Sequence, residues 1–296
     1  MNYRHAFHAG NFADVLKHVV VMRVIEYLKG KDKPFRFIDT HAGVGIYDVS
    51  GDEAQRTGEW RDGIGRILCP DRWQLAGVAA DREIVDLLRP YVDVIRDLNR
   101  ASERSGVAGM RLYPGAGELA RRLLRVDDRL VLNELHPEDA RLLRRCMARD
   151  ERVRTLQLDG WMAVRSLLPP KERRGVMLVD PPFEKQGEFK RLEAVLGDAT
   201  ARFATGVSVL WYPIKEGGAA NAFVNHMAAS GVPRLLAVEL LVGHRDTAGG
   251  LNGSGLIVHN PPYGLERQLN VIVPWLAERL GQRAGAQGRV FQLTGE

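Results

Sequence analysis

Residues 175–183 read Gly-Val-Met-Leu-Val-Asp-Pro-Pro-Phe. A short apolar run closed by an acid and two prolines is the signature of a strand buried on both faces and stopped by residues that cannot continue a ladder. The pattern recurs on either side. Upstream stand FRFID (35–39), RLVLNEL (129–135) and VRTLQLDGW (153–161); downstream stand GVSVLWYP (206–213), RLLAVELLV (234–242) and GLIVHNPPY (255–263). Helix-like stretches separate several of them, at 118–126, 137–150 and 188–198. Alternating strand and helix predicts an α/β fold on a mostly parallel sheet. The last two runs are joined only by a Gly-rich segment, too short for a crossover helix, so they are expected to form an antiparallel hairpin that completes seven strands. RVFQL at 289–293 is a candidate short edge strand.

Residues 47–108 break the rhythm. They are polar, rich in Arg and Asp, and carry helical stretches such as REIVDLLRPYVDVIRDLNR (82–100) without a convincing central strand. They are expected to form a small, mostly helical insert between the first and second strands. The core would then be discontinuous, made of 1–46 and 109–296.

Composition narrows the function classes. Apolar residues make up 45% and charged residues 27%, the balance of a globular domain and not of a disordered chain. The N-terminus has no apolar signal-peptide core and no run approaches eighteen apolar residues, so a cytoplasmic protein without membrane partners is expected. Two cysteines, Cys69 and Cys146, lack metal spacing and make no disulfide framework. The net charge of +5 permits a nucleic-acid partner without requiring one.

In an open parallel sheet, ligands bind beyond the carboxyl ends of the strands. There the first four strands each end in an acid: Asp39, Glu134, Asp159 and Asp180. Gly43 and Gly45 follow the first, but Asp48 stands where a dinucleotide fingerprint needs its third glycine, and no GK[ST] is present. A nucleoside ligand without a pyrophosphate fits better, Glu134 accepting from ribose hydroxyls and Asp159 from an adenine amine. Asp180-Pro181-Pro182-Phe183 matches the [DN]PP[YFW] pattern of methyltransferases that modify exocyclic amines. An adenine N6 lone pair is delocalised into the ring, so the Asp180 carboxylate and the Pro181 carbonyl would accept from the amine and favour a pyramidal nitrogen. Phe183 would stack on the base. Asn260-Pro261-Pro262-Tyr263 fits the same pattern, but too little sheet remains after it, and it is expected to be a structural turn. In the N-terminal stretch, His5, His8, His18 and Asp14 lack any familiar ligand spacing, so no metal is expected. Residues 14–28 are expected to be an amphipathic helix whose start, with Lys17 and His18, lines the donor pocket. Tyr3 and Arg4 would form an arm reaching nucleic acid.

The blocks NYRHAFHAGNFADVLKH, FIDTHAGVGIYD, RTGEW, YPG, NELHP, DGW, RRGVMLVDPPFE and RFATGVSVLWYP, spread over residues 2 to about 276, resemble the bacterial 23S ribosomal RNA adenine-N6-methyltransferases of the RlmJ type. The resemblance implies a Rossmann-like, class I S-adenosylmethionine-dependent methyltransferase fold with a small helical insert. It implies 23S rRNA as substrate, naked or partly assembled, and a monomer. It places His18, His41, Glu134, Asp159 and Gly160 at the donor, Asp180 at the chemistry, and Tyr3 and Lys17 close to the RNA. Ala116 stands where the family often has a Ser after YPG, leaving only backbone for that donor contact, and Phe183 replaces the commoner Tyr. The competing readings are a DNA adenine-N6 methyltransferase, a nicotinamide-dependent dehydrogenase and a non-catalytic RNA-binding protein.

Overall fold

A computed structural model describes residues 4–69, 73–76, 81–104 and 109–295. Its centre is an eight-stranded sheet. In chain order the strands are β1 (Arg36–Asp39), β2 (Arg129–Asn133), β3 (Val153–Leu156), β4 (Gly175–Val179), β5 (Val207–Ile214), β6 (Leu235–Leu241), β7 (Gly253–His259) and β8 (Gln287–Thr294). They lie in the spatial order β8-β6-β7-β5-β4-β1-β2-β3. Pairing is parallel from β5 through β3 and antiparallel from β5 through β8. The seven expected strands and the hairpin of β6 and β7 are present. The eighth is the edge strand expected around RVFQL, which extends beyond that stretch and pairs with β6 along its length. Its alternation of half-buried and exposed residues, spread over Gly288 and four polar side chains, is a weak signal that only the pairing reveals.

Eight longer helices accompany the sheet: α1 (Phe12–Lys29), α2 (Arg82–Arg104), α3 (Ala116–Leu123), α4 (Pro137–Met147), α5 (Gly160–Leu167), α6 (Glu188–Arg202), α7 (Ala219–Ala229) and α8 (Leu265–Leu280). Val176, Leu178, Val209, Val238 and Val258 pack toward the layer holding α1, α3 and α8. The alternate residues Met177, Val179, Leu210, Ala237 and Ile257 pack against α5, α6 and α7. That is why β4 and β6 are apolar at nearly every position.

α1 starts where Asn11 Oδ1 accepts from the Ala13 and Asp14 amides, at 3.0 Å each. It was expected to be amphipathic, yet it is buried nearly all round, with Val15, Leu16, Val19, Val20, Val21, Met22, Val24 and Ile25 fully buried. The reason lies in residues 47–108. α2 lies against α1 and α8, and its Leu88, Tyr91 and Ile95 join the same cluster as the α1 valines. Ile46–Asp48 also pairs antiparallel with Leu112–Pro114, closing the neck of this segment.

Candidate functional site

Strand order reverses between β1 and β4: the chain proceeds from β1 outward to β3, then returns to the other side for β4 and β5. The carboxyl ends at such a switch point splay apart and leave a crevice. The four strand-ending acids stand side by side along this edge in the order Asp180, Asp39, Glu134, Asp159. They are close enough for the Asp180 and Glu134 charges to act on Asp39, and for those of Asp180 and Asp159 to act on His41.

Each acid has a different environment. Asp39 is buried, and its Oδ1 accepts from the His41 amide (3.0 Å). Glu134 accepts from the Gly43 amide at 2.9 Å and from the His136 amide at 2.8 Å, so its carboxylate clamps the glycine turn after β1 to the end of β2. Asp159 is exposed and caps α5 through the Trp161 and Met162 amides. Asn133 ties three strand ends together: its amide donates to Thr40 O (2.9 Å) and Leu158 O (3.0 Å), and its Oδ1 accepts from Leu158 N (2.9 Å).

Lys17 enters the crevice from α1. It is 4% exposed, and its ammonium donates to Asp14 Oδ1 (2.7 Å) and Asp180 Oδ2 (2.5 Å). Burial works against a charged amine, but the two carboxylates outweigh it and hold Lys17 well above its ordinary range. Asp14 also accepts from the Gly10 amide (2.9 Å) and pairs with His5 Nε2 (2.9 Å). Burial would raise its carboxyl, yet His5 and Lys17 hold it well below the usual range. Lys17 is thus packed against Asp180, although the resemblance placed it beside RNA. Arg4 lies near Glu53, Glu138 and Asp139. Tyr3 falls outside the described residues.

His18, one residue on, is fully buried. Its Nδ1 shares a 2.9 Å hydrogen bond with Tyr113 OH, which in turn meets Tyr91 OH at 2.8 Å. Burial pushes it down to about 3, so it is neutral, and its Nε2 has no hydrogen-bond partner among the described residues. His41 stacks edge-on against Trp161 and is held down to about 4 by burial. A Cβ on Gly160 would stand 2.5 Å from His41 Nε2 and 2.6 Å from Thr40 O, so only glycine lets α5 start so close to β1. Ala116 opens α3 beside the glycine turn, where the Gly115 amide donates to Gly45 O (2.8 Å).

Phe183 takes a left-handed backbone (φ 51°), unfavourable for an aromatic residue, with its ring edge-on to Phe189 and Trp211. Leu135, Leu158 and Met162, which sequence reasoning did not single out, are 45%, 44% and 73% exposed around the ends of β2 and β3. For Leu135 and Leu158 the signal was an apolar side chain placed directly beside a strand-ending acid. All three form an apolar rim of the kind a flat aromatic ligand covers. With the unpartnered His18 nitrogen and the Glu134 clamp, the edge fits a nucleoside. A separate cleft of about 270 Å³ lies between the start of α1, residues 57–62 and the loop before β7, away from Asp180. Among the described residues no group of His, Cys, Asp and Glu is arranged to hold a metal, and no helix is long and apolar enough to cross a membrane.

The glycine pair leads into the strand Ile46–Asp48, whereas in a dinucleotide fingerprint the glycines lead directly into a helix. Asn260 lies at the opposite end of the sheet, because β7 runs antiparallel to β5. Its amide donates to Ala204 O (2.6 Å) and Gly206 O (2.9 Å), and its backbone is left-handed (φ 51°). Asn260→Ala is expected to lower stability by about 2 kcal/mol in urea unfolding and to leave turnover unchanged; loss of turnover in a folded variant would contradict the structural role.

Asp39 sets a pH dependence. Burial pushes its carboxyl up to about 7, eased by the His41 amide and reinforced by Asp180 and Glu134. The folded value exceeds the unfolded one, so its contribution to stability is complete below about pH 4 and is lost as the pH rises to about 7. Asp39→Asn keeps an acceptor for His41. It is expected to gain on the order of 2 kcal/mol over the wild type at pH 8 and almost nothing at pH 4; an equal effect at both pH values in urea unfolding would contradict this.

Comparison with known proteins adds three findings. The family model described as ribosomal RNA large subunit methyltransferase D, RlmJ, matches residues 32–293. The chain is 41% identical over 280 residues to ribosomal RNA large subunit methyltransferase J of Escherichia coli K12, covering 95% of this chain and 94% of that one. It is 38% identical to the Haemophilus influenzae protein of the same name, over the full length of both. Among solved structures, protein LPL1258 of Legionella pneumophila superposes with a TM-score of 0.81 at 30% identity, covering 98% of this chain and 99% of that one.

Proposed function

The chain belongs to the RlmJ family of ribosomal RNA large subunit methyltransferases, and we propose that it transfers a methyl group from S-adenosylmethionine to the N6 amine of one adenine in 23S rRNA. The observation that carries this reading is the DPPF turn at the switch point, with Asp180 fixed by Lys17 and the other strand-end acids in line beside it. The donor supplies an electrophilic sulfonium methyl when bound. Glu134 takes its ribose hydroxyls, Asp159 its adenine amine, and Leu135, Leu158 and Met162 cover the ring faces. His18, His41, Gly160 and the Ala116 backbone close the pocket.

Asp180 and the Pro181 carbonyl accept from the target N6–H groups, which turns the nitrogen lone pair toward the methyl. Phe183 holds the base by stacking. Lys17 keeps the Asp180 carboxylate aimed, and Tyr3 contacts the RNA. The remaining assignments follow from this reading: a discontinuous core of 1–46 and 109–296 around the 47–108 insert, a monomer working in the cytoplasm on naked or partly assembled 23S rRNA, and no metal. Neither the relatives nor the fold supports a DNA methyltransferase, a dehydrogenase or a non-catalytic RNA binder. Calorimetry provides the test: S-adenosylhomocysteine is expected to bind and NAD is not. Binding of NAD alone would overturn the reading.

A further inference from the structure

Among the described residues most arginines are tied down. Arg121 and Arg122 pair with Glu118, Arg152 with Asp150, Arg36 with Glu172, and Arg245 and Arg289 with Glu239. One group is different. Arg141, Arg144, Arg145 and Arg149 lie at intervals of three and four along α4 and the turn that follows it, all exposed, and Arg154 follows on the edge strand β3, also exposed. None of the five has an ion-pair partner among the described residues; Arg144 makes one hydrogen bond, to Gln157 (3.4 Å).

Like charges at this spacing repel and destabilise a helix by a few tenths of a kcal/mol per pair. The helix dipole compensates Arg144 and Arg145 in the last turn, but not Arg141. Arg154 blunts a free sheet edge, which a single charge suffices to do. What remains is a cationic stripe whose arginines have no ion-pair partner among the described residues. α4 begins at the His136 cap, two residues after Glu134, so the stripe starts a little over one turn from the rim of the candidate site and runs on for roughly 12 Å. Resting on the function proposed above, we infer that this face of α4 is the docking surface for the RNA backbone flanking the target adenine. Its arginines contact phosphates and thereby set register without reading sequence. The occupant is a polyanion by charge complementarity, and the bidentate guanidinium–phosphate contact suits arginine.

The test replaces Arg141, Arg144, Arg145 and Arg149 together with Ala, which favours the helix. Binding of a 23S rRNA fragment is measured from 0.05 to 0.3 M KCl. The variant is expected to bind ~10- to 100-fold more weakly at about 0.1 M salt, with a log–log salt slope shallower by ~2–3, since each phosphate contact contributes ~0.7–0.9. Affinity for S-adenosylhomocysteine and kcat at saturating RNA stay unchanged, four Lys at the same positions restore binding, and Arg89→Ala on α2 has no effect. An unchanged slope and affinity in the Ala variant, with wild-type protein methylating the RNA, would overturn the docking surface alone. A wild-type protein that methylates no RNA would overturn the function and the surface together.

Discussion

Asp180→Ala is expected to abolish methyl transfer, lowering kcat by ~10³-fold or more while S-adenosylhomocysteine affinity changes less than about threefold. The size follows from the substrate. An aromatic amine is a poor nucleophile, and the Asp180 carboxylate is the only charged acceptor that the DPPF turn offers it. Removing this group takes away the hydrogen bond that localises the lone pair and the acceptor for the proton displaced by the methyl group. The donor pocket is expected to be spared because Glu134 and Asp159, proposed to hold the donor, follow β2 and β3, whereas Asp180 follows β4 on the far side of the crevice. Lys17 keeps Asp14 as a partner in the variant, so the fold survives. Single-turnover kinetics with a 23S rRNA fragment provide the measurement. Activity within tenfold of wild type would contradict the assignment of Asp180.

Lys17→Met is expected to give the second-largest effect and to show it in kcat. Its ammonium sits between Asp14 and Asp180, and Asp14 is fully buried. Removing one partner from a buried ionic cluster costs ~3–5 kcal/mol because the charge left behind is uncompensated. Here His5 still pairs with Asp14, so the lower end of that range is expected. Asp180 loses the cation that fixes its position, so kcat should fall about 100-fold. RNA affinity is expected to change little. The opposite split, full kcat at saturating RNA with RNA affinity lost, would show that Lys17 contacts the RNA directly, as the resemblance alone implied.

The parallel core was legible because buried strands announce themselves as apolar runs closed by breakers, and β4 is apolar at every position after its first glycine. β8 was hard to read for the opposite reason: it lies at an edge, half exposed, and its partner β6 is more than forty residues away. α1 shows how tertiary context overrides periodicity. Its VVVMRVI stretch predicts one apolar face, but α2, from a segment that looked merely polar, covers the other. At the site, the acids were legible individually because each ends a strand. The Lys17–Asp14–His5 chain was not, since it forms only when α1 is laid across the switch point and brings residue 17 to residue 180. Nor could spacing show that Glu134 clamps Gly43 or that Asn133 links three strand ends, because those bonds join loops roughly ninety and twenty-five residues apart.

The central claim is that the crevice between β1 and β4 methylates an adenine N6 in 23S rRNA through Asp180. Its most direct test incubates transcribed 23S rRNA with the protein and S-adenosylmethionine and maps N6-methyladenine by mass spectrometry of nuclease fragments. One new N6-methyladenine, absent when the Asp180→Ala protein is used, is the expected result. No methylated adenine, or a methyl group on any other atom of the RNA, would contradict it.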